Sequence, residues 1–260
     1  MDESLQRFVS GDSTRIFINP ALGCQSNCSY CYLEDEGFSL GSAVDKEISS
    51  EQCIELVEES GLFIPGENGS IISIGCFSEC WDKKNIETTK NIILYFLKKR
   101  NPVQFATKRS VKPYQVIEIA NNILWKGQLC LFVSSASITH WKKIEKGTTI
   151  PKQRFRHLKQ LISMGILSHL YIKPVIDDIT ILDLDAYKEI LVSTSCDVVV
   201  GSRFSKHQNS VLSSPLPSIS GLKVINSTDE HQIKLALNEL GKVYSTSVEA
   251  TNYWRAIVND

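Results

Sequence analysis

Residues 19–32 read NPALGCQSNCSYCY and place three cysteines close together. These cysteines, Cys24, Cys28 and Cys31, have the spacing CxxxCxxC on one short loop. Three thiolates on such a loop can hold three irons of a four-iron cluster and leave the fourth iron without a protein ligand. Because an iron of that kind is open to a small molecule, the loop predicts a 4Fe–4S centre that takes part in chemistry.

Two other interpretations of the cysteine loop stay open. Cys28 and Cys31 have the spacing of half a zinc site, but a structural zinc requires four ligands, and no second CxxC or HxxxH pair follows at zinc-finger spacing. A disulfide is the less expected alternative. Eight scattered cysteines without a signal peptide predict a cytoplasmic protein, whose thiols stay reduced.

The composition is that of a folded, water-soluble protein. Of the 260 residues, 42% are hydrophobic and 22% are charged, and no apolar run approaches the roughly 20 residues that span a bilayer. The formal net charge is −1, so any contact with nucleic acid would depend on a local basic patch. Residues 152–159 are the basic candidate, but their pattern favours the solvated face of an amphipathic helix.

Short β-rich runs alternate with longer helical stretches, which is typical of βα units that build a parallel sheet. Six strands with five intervening helices predict an α/β fold, namely a partial (β/α)6 barrel whose working face is formed by the carboxyl ends of the strands. The predicted strands are 14–18, 70–77, 103–107, 129–135, 168–175 and 197–204. The predicted helices are 50–60, 86–100, 112–122, 152–164 and 182–193.

The pattern changes after residue 204, where a Ser- and Pro-rich stretch over 205–220 suggests a linker or cap loop. Beyond it we expect a strand at 222–225, a helix at 229–240 and a strand at 242–248. This organisation predicts a barrel domain over 1–204 and a loop with a small C-terminal α+β cap over 205–260. This region also contains three aromatic residues and a cation, namely Tyr244, Tyr253, Trp254 and Arg255. They suit either the core of the cap or the stacking of a base.

The cysteine loop directly after the first strand resembles that of the radical S-adenosylmethionine (SAM) superfamily. The resemblance implies that the amino and carboxylate groups of SAM occupy the open iron. It also implies that reductive cleavage of the sulfonium gives a 5′-deoxyadenosyl radical, which removes hydrogen from a substrate. An external electron donor such as flavodoxin or ferredoxin is implied as well.

A narrower resemblance, to the spore photoproduct lyase and DNA-repair-photolyase-like branch, covers residues 19–175. It adds a nucleobase or nucleic-acid lesion as the implied substrate. The segments that carry it are Tyr30-Cys31-Tyr32, Gly75-Cys76-Phe77-Ser78-Glu79, Ala106-Thr107-Lys108-Arg109, Val133-Ser134-Ser135-Ala136-Ser137, Ile144-Glu145-Lys146-Gly147 with Arg154 and Gly165, and Tyr171-Ile172-Lys173-Pro174-Val175.

The same resemblance assigns radical chemistry to three residues. A cysteine at the position of Cys76 gives a hydrogen atom to the product radical, and Tyr30 and Tyr32 return a hydrogen atom toward the cofactor. A buried structural thiol is the alternative for Cys76, and exclusion of water from the cluster is the alternative for the tyrosines.

Residues at the ends of the second, third and fourth strands are the predicted SAM contacts. Lys108 suits the carboxylate. Ser78 and Glu79 stand where many superfamily members carry a Gly-Gly-Glu segment that binds the ammonium, although this chain lacks those glycines. Ser135 and Ser137 suit the ribose or the carboxylate, or are turn residues. Tyr30, beside the cluster, completes the predicted cofactor contacts.

The remaining cysteines and the histidines show no ligand spacing. We expect Cys53, Cys130 and Cys196 to be core residues, while Cys80, four residues after Cys76, suits either the core or a second radical-handling thiol. None of the five histidines forms a metal pattern, and His207 is the best placed to face a substrate. A non-catalytic protein with a structural or redox-sensing cluster or zinc therefore remains the alternative to an enzyme.

Overall fold

The computed structural model describes residues 7–42, 44, 46–205 and 222–258. Of the predicted linker only Ser205 is among them, and His207 lies outside the described residues. The strands, in chain order, are β1 (Val9–Gly11), β2 (Arg15–Ile18), β3 (Ala21–Leu22), β4 (Asn27–Cys28), β5 (Lys46–Glu47), β6 (Ile71–Ile74), β7 (Val103–Thr107), β8 (Leu129–Ser134), β9 (Glu145–Lys146), β10 (Leu167–Ile172), β11 (Val198–Val200), β12 (Arg203–Ser205), β13 (Lys223–Ile225) and β14 (Val243–Tyr244).

Helices follow most strands of the central sheet, as βα units require. Two 3₁₀ helices, Pro113–Gln115 and Thr180–Asp183, add single turns. The α-helices are α1 (Ser50–Glu59), α2 (Ile86–Lys98), α3 (Ile117–Asn121), α4 (Trp141–Ile144), α5 (Pro151–Phe155), α6 (Leu158–Ser163), α7 (Leu184–Thr194), α8 (Glu230–Asn238) and α9 (Ser247–Val258). None of these helices is long and apolar enough to cross a bilayer.

The central sheet has eight strands in the order β1-β2-β6-β7-β8-β10-β11-β14. Strand β1 is antiparallel to β2, and every other neighbouring pair is parallel. The predicted α/β partial barrel is therefore confirmed. Three two-stranded pairs lie outside the sheet: β3 with β5, β4 with β9, and β12 with β13.

The two faces of the central sheet differ in polarity, because successive side chains of a strand point to opposite faces. The outer face packs on the helices in the main hydrophobic core, which includes Ile16 of β2, Ile72 of β6 and Leu131 of β8. Polar and aromatic side chains on the inner face line a cavity; they are Arg15, Phe17, Ser73, Gln104, Phe132, Ser134 and Tyr171.

The C-terminal segment differs most from the sequence prediction. Its second predicted strand, 242–248, is only Val243–Tyr244, and this strand joins the central sheet beside β11. Helix α9 then begins at Ser247 and was not predicted. Two hydrogen bonds stabilise the start of this helix: the Thr246 hydroxyl accepts from the Glu249 N–H, as an N-cap side chain does, and the Glu249 carboxylate accepts from the Ser245 N–H. The division into domains at residue 204 stays a prediction.

Candidate functional site

The cysteine loop lies at the carboxyl end of the central sheet and is held by a second loop. Strand β4 inside the cysteine loop pairs with β9, which places Cys28 opposite Glu145. The main-chain N–H of Ser29 donates to the carbonyl of Ile144 at 2.9 Å. The cysteine loop is therefore anchored to the chain that follows β8.

A buried ion pair supports this anchorage. Arg154 and Glu145 are both fully buried, and Arg154 Nη1 lies 2.7 Å from Glu145 Oε2 and 2.6 Å from the carbonyl of Ser134. Glu145 Oε1 accepts from the hydroxyl of Tyr30 at 2.7 Å and from the N–H of Ala136 at 2.9 Å. One buried carboxylate thus joins the cysteine loop, the end of β8 and α5.

The segment after β6 brings Cys76 to the cysteine loop. Asn19 Oδ1 accepts from the N–H of Phe77 at 2.8 Å, and the N–H of Gly23 donates to the carbonyl of Phe77 at 2.9 Å. The Tyr32 hydroxyl donates to the carbonyl of Cys76 at 2.6 Å. Tyr32 and Cys76, which are 44 positions apart in the chain, are therefore in direct contact.

Tyr32 and Cys76 line a cavity of about 890 Å³ over the inner face of the sheet. The cavity brings together most of the predicted site residues, which come from the cysteine loop and from the ends of β6 and β7. Those that line it are Cys24, Cys28, Cys31, Tyr30, Tyr32, Cys76, Ser78, Glu79 and Lys108.

The three loop thiols have the surroundings that suit cluster ligands. Burial raises the pKa of Cys24 to about 11 and that of Cys31 to about 12, while hydrogen bonds from the N–H groups of Ser26 and Leu33 oppose the shift. Backbone N–H groups directed at cysteine sulfurs tune the potential of iron–sulfur clusters. The donor set therefore fits an iron–sulfur cluster.

A site for a single metal ion requires a different arrangement of ligands from that around an iron–sulfur cluster. Within the described residues, no three His, Cys, Asp or Glu side chains are grouped so that they could hold a single ion. Ligands of one zinc ion must all lie about 2.0–2.3 Å from it, whereas three thiolates around a cluster each bind a different iron. The spread of Cys24, Cys28 and Cys31 is compatible with the second arrangement.

Cys76 is a half-buried thiol, and its burial keeps it protonated. Burial raises its pKa to about 11, and the charge of Arg15 opposes the shift. Burial raises the pKa of the Tyr32 phenol well above its usual value, and the neighbouring Cys76 adds to this. Both groups therefore carry a hydrogen atom at neutral pH.

Ser78 has a free hydroxyl at the cavity wall. Its Oγ is buried and forms no hydrogen bond with any described residue, although a buried hydroxyl normally has a partner. Because Ser78 lines the cavity, a bound ligand can supply that partner. The contact between Ser78 and SAM stays a prediction.

Glu79 and Lys108 have linked positions. Glu79 Oε1 accepts from the hydroxyl of Thr107 at 2.5 Å and from the N–H of Trp81 at 3.1 Å, and Oε2 accepts from the N–H of Lys108 at 2.8 Å. The Lys108 ammonium lies 5.6 Å from the centre of the Tyr30 ring. Glu79 thus fixes the main chain of Lys108, whose side chain extends over the cysteine loop.

Ser135 and Ser137 are not brought into this cavity. Both are fully buried. The Ser135 hydroxyl donates to the carbonyl of Ser137 at 2.9 Å, and the Ser137 hydroxyl donates to Asp183 Oδ2 at 2.6 Å. Their local role is to close the turn after β8, and the cavity lining contains neither of them.

The other cysteines lie in the core. Cys53, Cys80, Cys130 and Cys196 are all buried and do not line the cavity. Cys80 packs behind Cys76 against Gly75, whose φ of +86° and close approach to the Cys80 side chain leave no room for a Cβ.

Two further cavity residues, Arg15 on the inner face of β2 and Asn252 of α9, were not predicted from the sequence. Lys173, from a segment that carries the resemblance, and Arg255, the cation noted in the C-terminal region, also line the cavity, although neither was predicted as a site residue. The signal for Arg15 was a charge in an otherwise apolar strand. The predicted aromatic group of the C-terminal region is partly core, because Tyr244 is buried and its ring centre lies 5.8 Å from that of Tyr253.

Comparison with known proteins gives no match by sequence and clear matches by structure. No protein-family model and no curated protein matches the chain. SuiB of Streptococcus suis, solved bound to S-adenosylmethionine, superposes with a TM-score of 0.59 at 11% identity, over 94% of this chain and 53% of SuiB. A spore photoproduct lyase variant, solved with AdoMet and a dinucleoside spore photoproduct, gives 0.61 at 14% identity, over 89% of this chain and 76% of the lyase.

Both neighbours are radical SAM enzymes. This chain has their fold. It spans about half the length of SuiB and about three quarters of the lyase. The predicted resemblance to the superfamily and to spore photoproduct lyase is thus confirmed for the fold, at low sequence identity.

Proposed function

We propose that this protein is a radical SAM enzyme in which Cys24, Cys28 and Cys31 hold a 4Fe–4S cluster. The observation that carries the proposal is the convergence of these three thiols with Cys76 and its partner Tyr32 in one cavity, at the carboxyl ends of parallel strands. A purely structural cluster would not require a cysteine and a tyrosine in contact beside it.

The bound cluster supplies an electron from a donor such as flavodoxin or ferredoxin, so that SAM is cleaved to the 5′-deoxyadenosyl radical that takes a substrate hydrogen. Lys108 pairs with the carboxylate of SAM, and the free hydroxyl of Ser78 accepts from its ammonium. Glu79 holds Lys108 in place through the main chain. Tyr30 bonds to Glu145 and keeps the cysteine loop in position below Lys108.

Cys76 and Tyr32 complete the hydrogen transfers. The Cys76 thiol gives its hydrogen atom to the product radical, which forms a C–H bond and leaves a thiyl radical. Tyr32 then gives its phenolic hydrogen atom to that sulfur, which restores the thiol and leaves a radical on the tyrosine. The 5′-deoxyadenosine formed earlier would give a hydrogen atom back to Tyr32, so that the radical returns to the cofactor. The contact between Tyr32 and the Cys76 main chain keeps the phenol near the thiol.

The substrate that we favour is a nucleobase or nucleic-acid lesion. The support is the order of the motifs shared with the lyase branch and the superposition on a lyase whose structure contains a dinucleoside spore photoproduct. SuiB, the other neighbour, has been solved with its precursor peptide SuiA. A non-catalytic protein with a structural cluster is the alternative function.

Anaerobic reconstitution with iron and sulfide, followed by reduction in the presence of SAM, tests the proposal. We expect 5′-deoxyadenosine from the wild-type protein and from a Cys53→Ala control, because Cys53 lies in the core away from the cavity. Cys28→Ala should abolish it. Equal yields from Cys28→Ala and the wild type would contradict the enzyme assignment, as would a yield of zero from both.

The role of Cys76 has a separate test with a dinucleoside lesion as substrate. Cys76→Ala should still form 5′-deoxyadenosine while the repaired product falls by at least about tenfold and radical by-products accumulate. Full yield of correctly reduced product from this variant would remove Cys76 from the mechanism.

A further inference from the structure

Two cations in the cavity have no acidic partner. Arg15 Nε donates to the hydroxyl of Ser73 at 2.8 Å, and its guanidinium lies 4.2 Å from the centre of the Phe17 ring. The Lys173 ammonium lies 4.5 Å from the centre of the Phe204 ring. No ion pair among the described residues includes either cation.

The carboxylates whose charges act on these two cations, Asp12 on Arg15 and Glu230 on Lys173, form hydrogen bonds with other residues. Asp12 accepts from the N–H of Thr14 at 2.8 Å and from its hydroxyl at 2.6 Å. Glu230 forms an ion pair with Lys234 at 2.6 Å and accepts from the hydroxyl of Ser202 at 2.6 Å. Hydrogen-bonded carboxylates therefore do not neutralise Arg15 and Lys173 directly.

Arg15 and Lys173 are close enough to affect one another. Burial lowers the pKa of Lys173 to about 8, and the charge of Arg15 acts in the same direction. Burial also lowers the pKa of Arg15. Two like charges removed from water are unfavourable unless an opposite charge joins them, so this part of the cavity is prepared for an anion.

This pair is distinct from the cation assigned to SAM. Lys108 lies over Tyr30 of the cysteine loop, whereas the charge of Arg15 acts on Cys76, Tyr171 and Tyr32. An anion bound by Arg15 would therefore lie near the thiol that completes the reaction, on the side of the cavity where a substrate is needed.

We propose that Arg15 and Lys173 bind an anionic group of the substrate, a phosphate or a carboxylate, and so hold the reacting carbon near Cys76. The identification of this anion as part of a substrate rests on the proposed function. The anion site itself rests on the two unpaired cations that share the cavity. Guanidinium and ammonium groups both form strong, charge-assisted hydrogen bonds with either kind of anion.

Calorimetric titration with inorganic phosphate and with acetate tests the anion site in the reconstituted protein, first without SAM and then with SAM added. We expect saturable binding of at least one anion, weakened roughly tenfold to 100-fold by Lys173→Gln and by Arg15→Gln, as for the loss of a charged hydrogen bond. Lys112→Gln is the matched control, because Lys112 also lies over an aromatic ring, that of Tyr114, but outside the cavity.

The outcomes of the titration are distinct. Stronger binding of phosphate identifies a phosphorylated substrate, and stronger binding of acetate identifies a carboxylate. The proposal is overturned if the wild type binds neither anion, if Lys173→Gln binds as tightly as the wild type, or if SAM displaces the anion and thereby shows a cofactor site.

A second measurement needs no variant. Acetic anhydride at pH 8 should acetylate both Lys173 and the exposed Lys112, and the preferred anion should slow the acetylation of Lys173 but not that of Lys112, as followed by mass spectrometry. Unchanged acetylation of Lys173 in the presence of the anion would contradict the proposal. Neither measurement involves SAM cleavage, so a failure of the anion site and a failure of the proposed enzyme activity are distinguishable.

Discussion

Tyr30 and Tyr32 stand two positions apart in the cysteine loop, yet their hydroxyls have different partners. Tyr30 donates to the buried carboxylate of Glu145, and Tyr32 donates to the carbonyl of Cys76. The resemblance to the lyase branch gave both tyrosines the same role. The contacts favour Tyr32 for hydrogen transfer and Tyr30 for the stability of the loop.

Phenylalanine substitutions separate these two roles. Tyr30→Phe removes a hydrogen bond to a buried charged group and should lower the free energy of unfolding by about 1.5–3 kcal/mol. Tyr32→Phe removes a bond to a neutral carbonyl and should cost only about 1 kcal/mol, but it should stop product formation after the first turnover. Chemical denaturation and product counts per enzyme measure the two effects, and equal turnover by both variants would contradict the assignment.

At this scale the sequence predicted the motif residues but not their contacts. Cys24, Cys28 and Cys31 stand close together in the chain, so the sequence alone was enough to find their motif. The hydroxyls of Ser135 and Ser137 bond within one turn and to Asp183. That partner is 46 positions away from Ser137, and no local pattern indicates such a bond.

Among the secondary-structure elements, the short strand pair β4 and β9 is the one that positions the cluster loop. A two-residue pair is weak by itself. The buried ion pair between Glu145 of β9 and Arg154 of α5 reinforces it, because Arg154 also donates to the carbonyls of Ser134 and Thr149. Loss of one partner leaves the other charge buried and unpaired.

Arg154→Met should therefore destabilise the protein by about 3–5 kcal/mol. It should also lower the iron content after reconstitution, since β9 would no longer hold the cysteine loop. Arg156→Met is the control, because Arg156 is exposed two positions away. Denaturation midpoints and iron analysis check both effects. An Arg154→Met protein with the stability and iron content of the wild type would show that the ion pair does not support the loop.

Prediction of the elements succeeded where burial and propensity agree. Strand β7 has the predicted bounds, 103–107, because its apolar residues are enclosed on both sides of the sheet. Helix α9 was missed because Val243, Tyr244 and Val248 extend a β-like pattern, while the Thr246 hydroxyl caps a helix that starts within it. Tertiary contacts with the barrel interior then stabilise α9.

In the molecule as a whole, the interior of the partial barrel contains one charge-sensitive group far from the cysteine loop. His169 of β10 is fully buried, and its ring centre lies 4.9 Å from that of Phe132. A polar contact with the main chain of Leu131 acts to raise the pKa of His169, against the effect of burial. Burial lowers the pKa of His169 from 6.5 to about 4, so the ring is neutral in the folded protein at neutral pH.

This histidine makes the protein sensitive to acid. Between pH 6.5 and 4 the unfolded chain binds a proton that the folded chain excludes, so the free energy of unfolding falls as the pH falls through this window. The loss amounts to about 3 kcal/mol. His169→Leu should reduce the fall measured by denaturation at pH 7 and pH 4.5, and the exposed His231→Gln should not. An unchanged fall in His169→Leu would contradict this account.

The α/β alternation was enough to predict the partial barrel, because each βα unit is encoded by its own stretch of chain. The cavity was harder to predict, since Arg15, Lys173 and α9 meet only when the sheet curves and β14 closes beside β11. The resulting cavity, with three thiols at one end and two unpaired cations inside, is a property of the whole molecule.

The most direct test of the account is a measurement of the cluster and its open iron in the reconstituted protein. Iron analysis and electron paramagnetic resonance of the reduced sample should give about four irons per chain and a spectrum that changes when SAM is added, because SAM occupies the iron that Cys24, Cys28 and Cys31 leave open. A chain that binds no cluster, or a cluster whose spectrum is unchanged by SAM, would contradict the account.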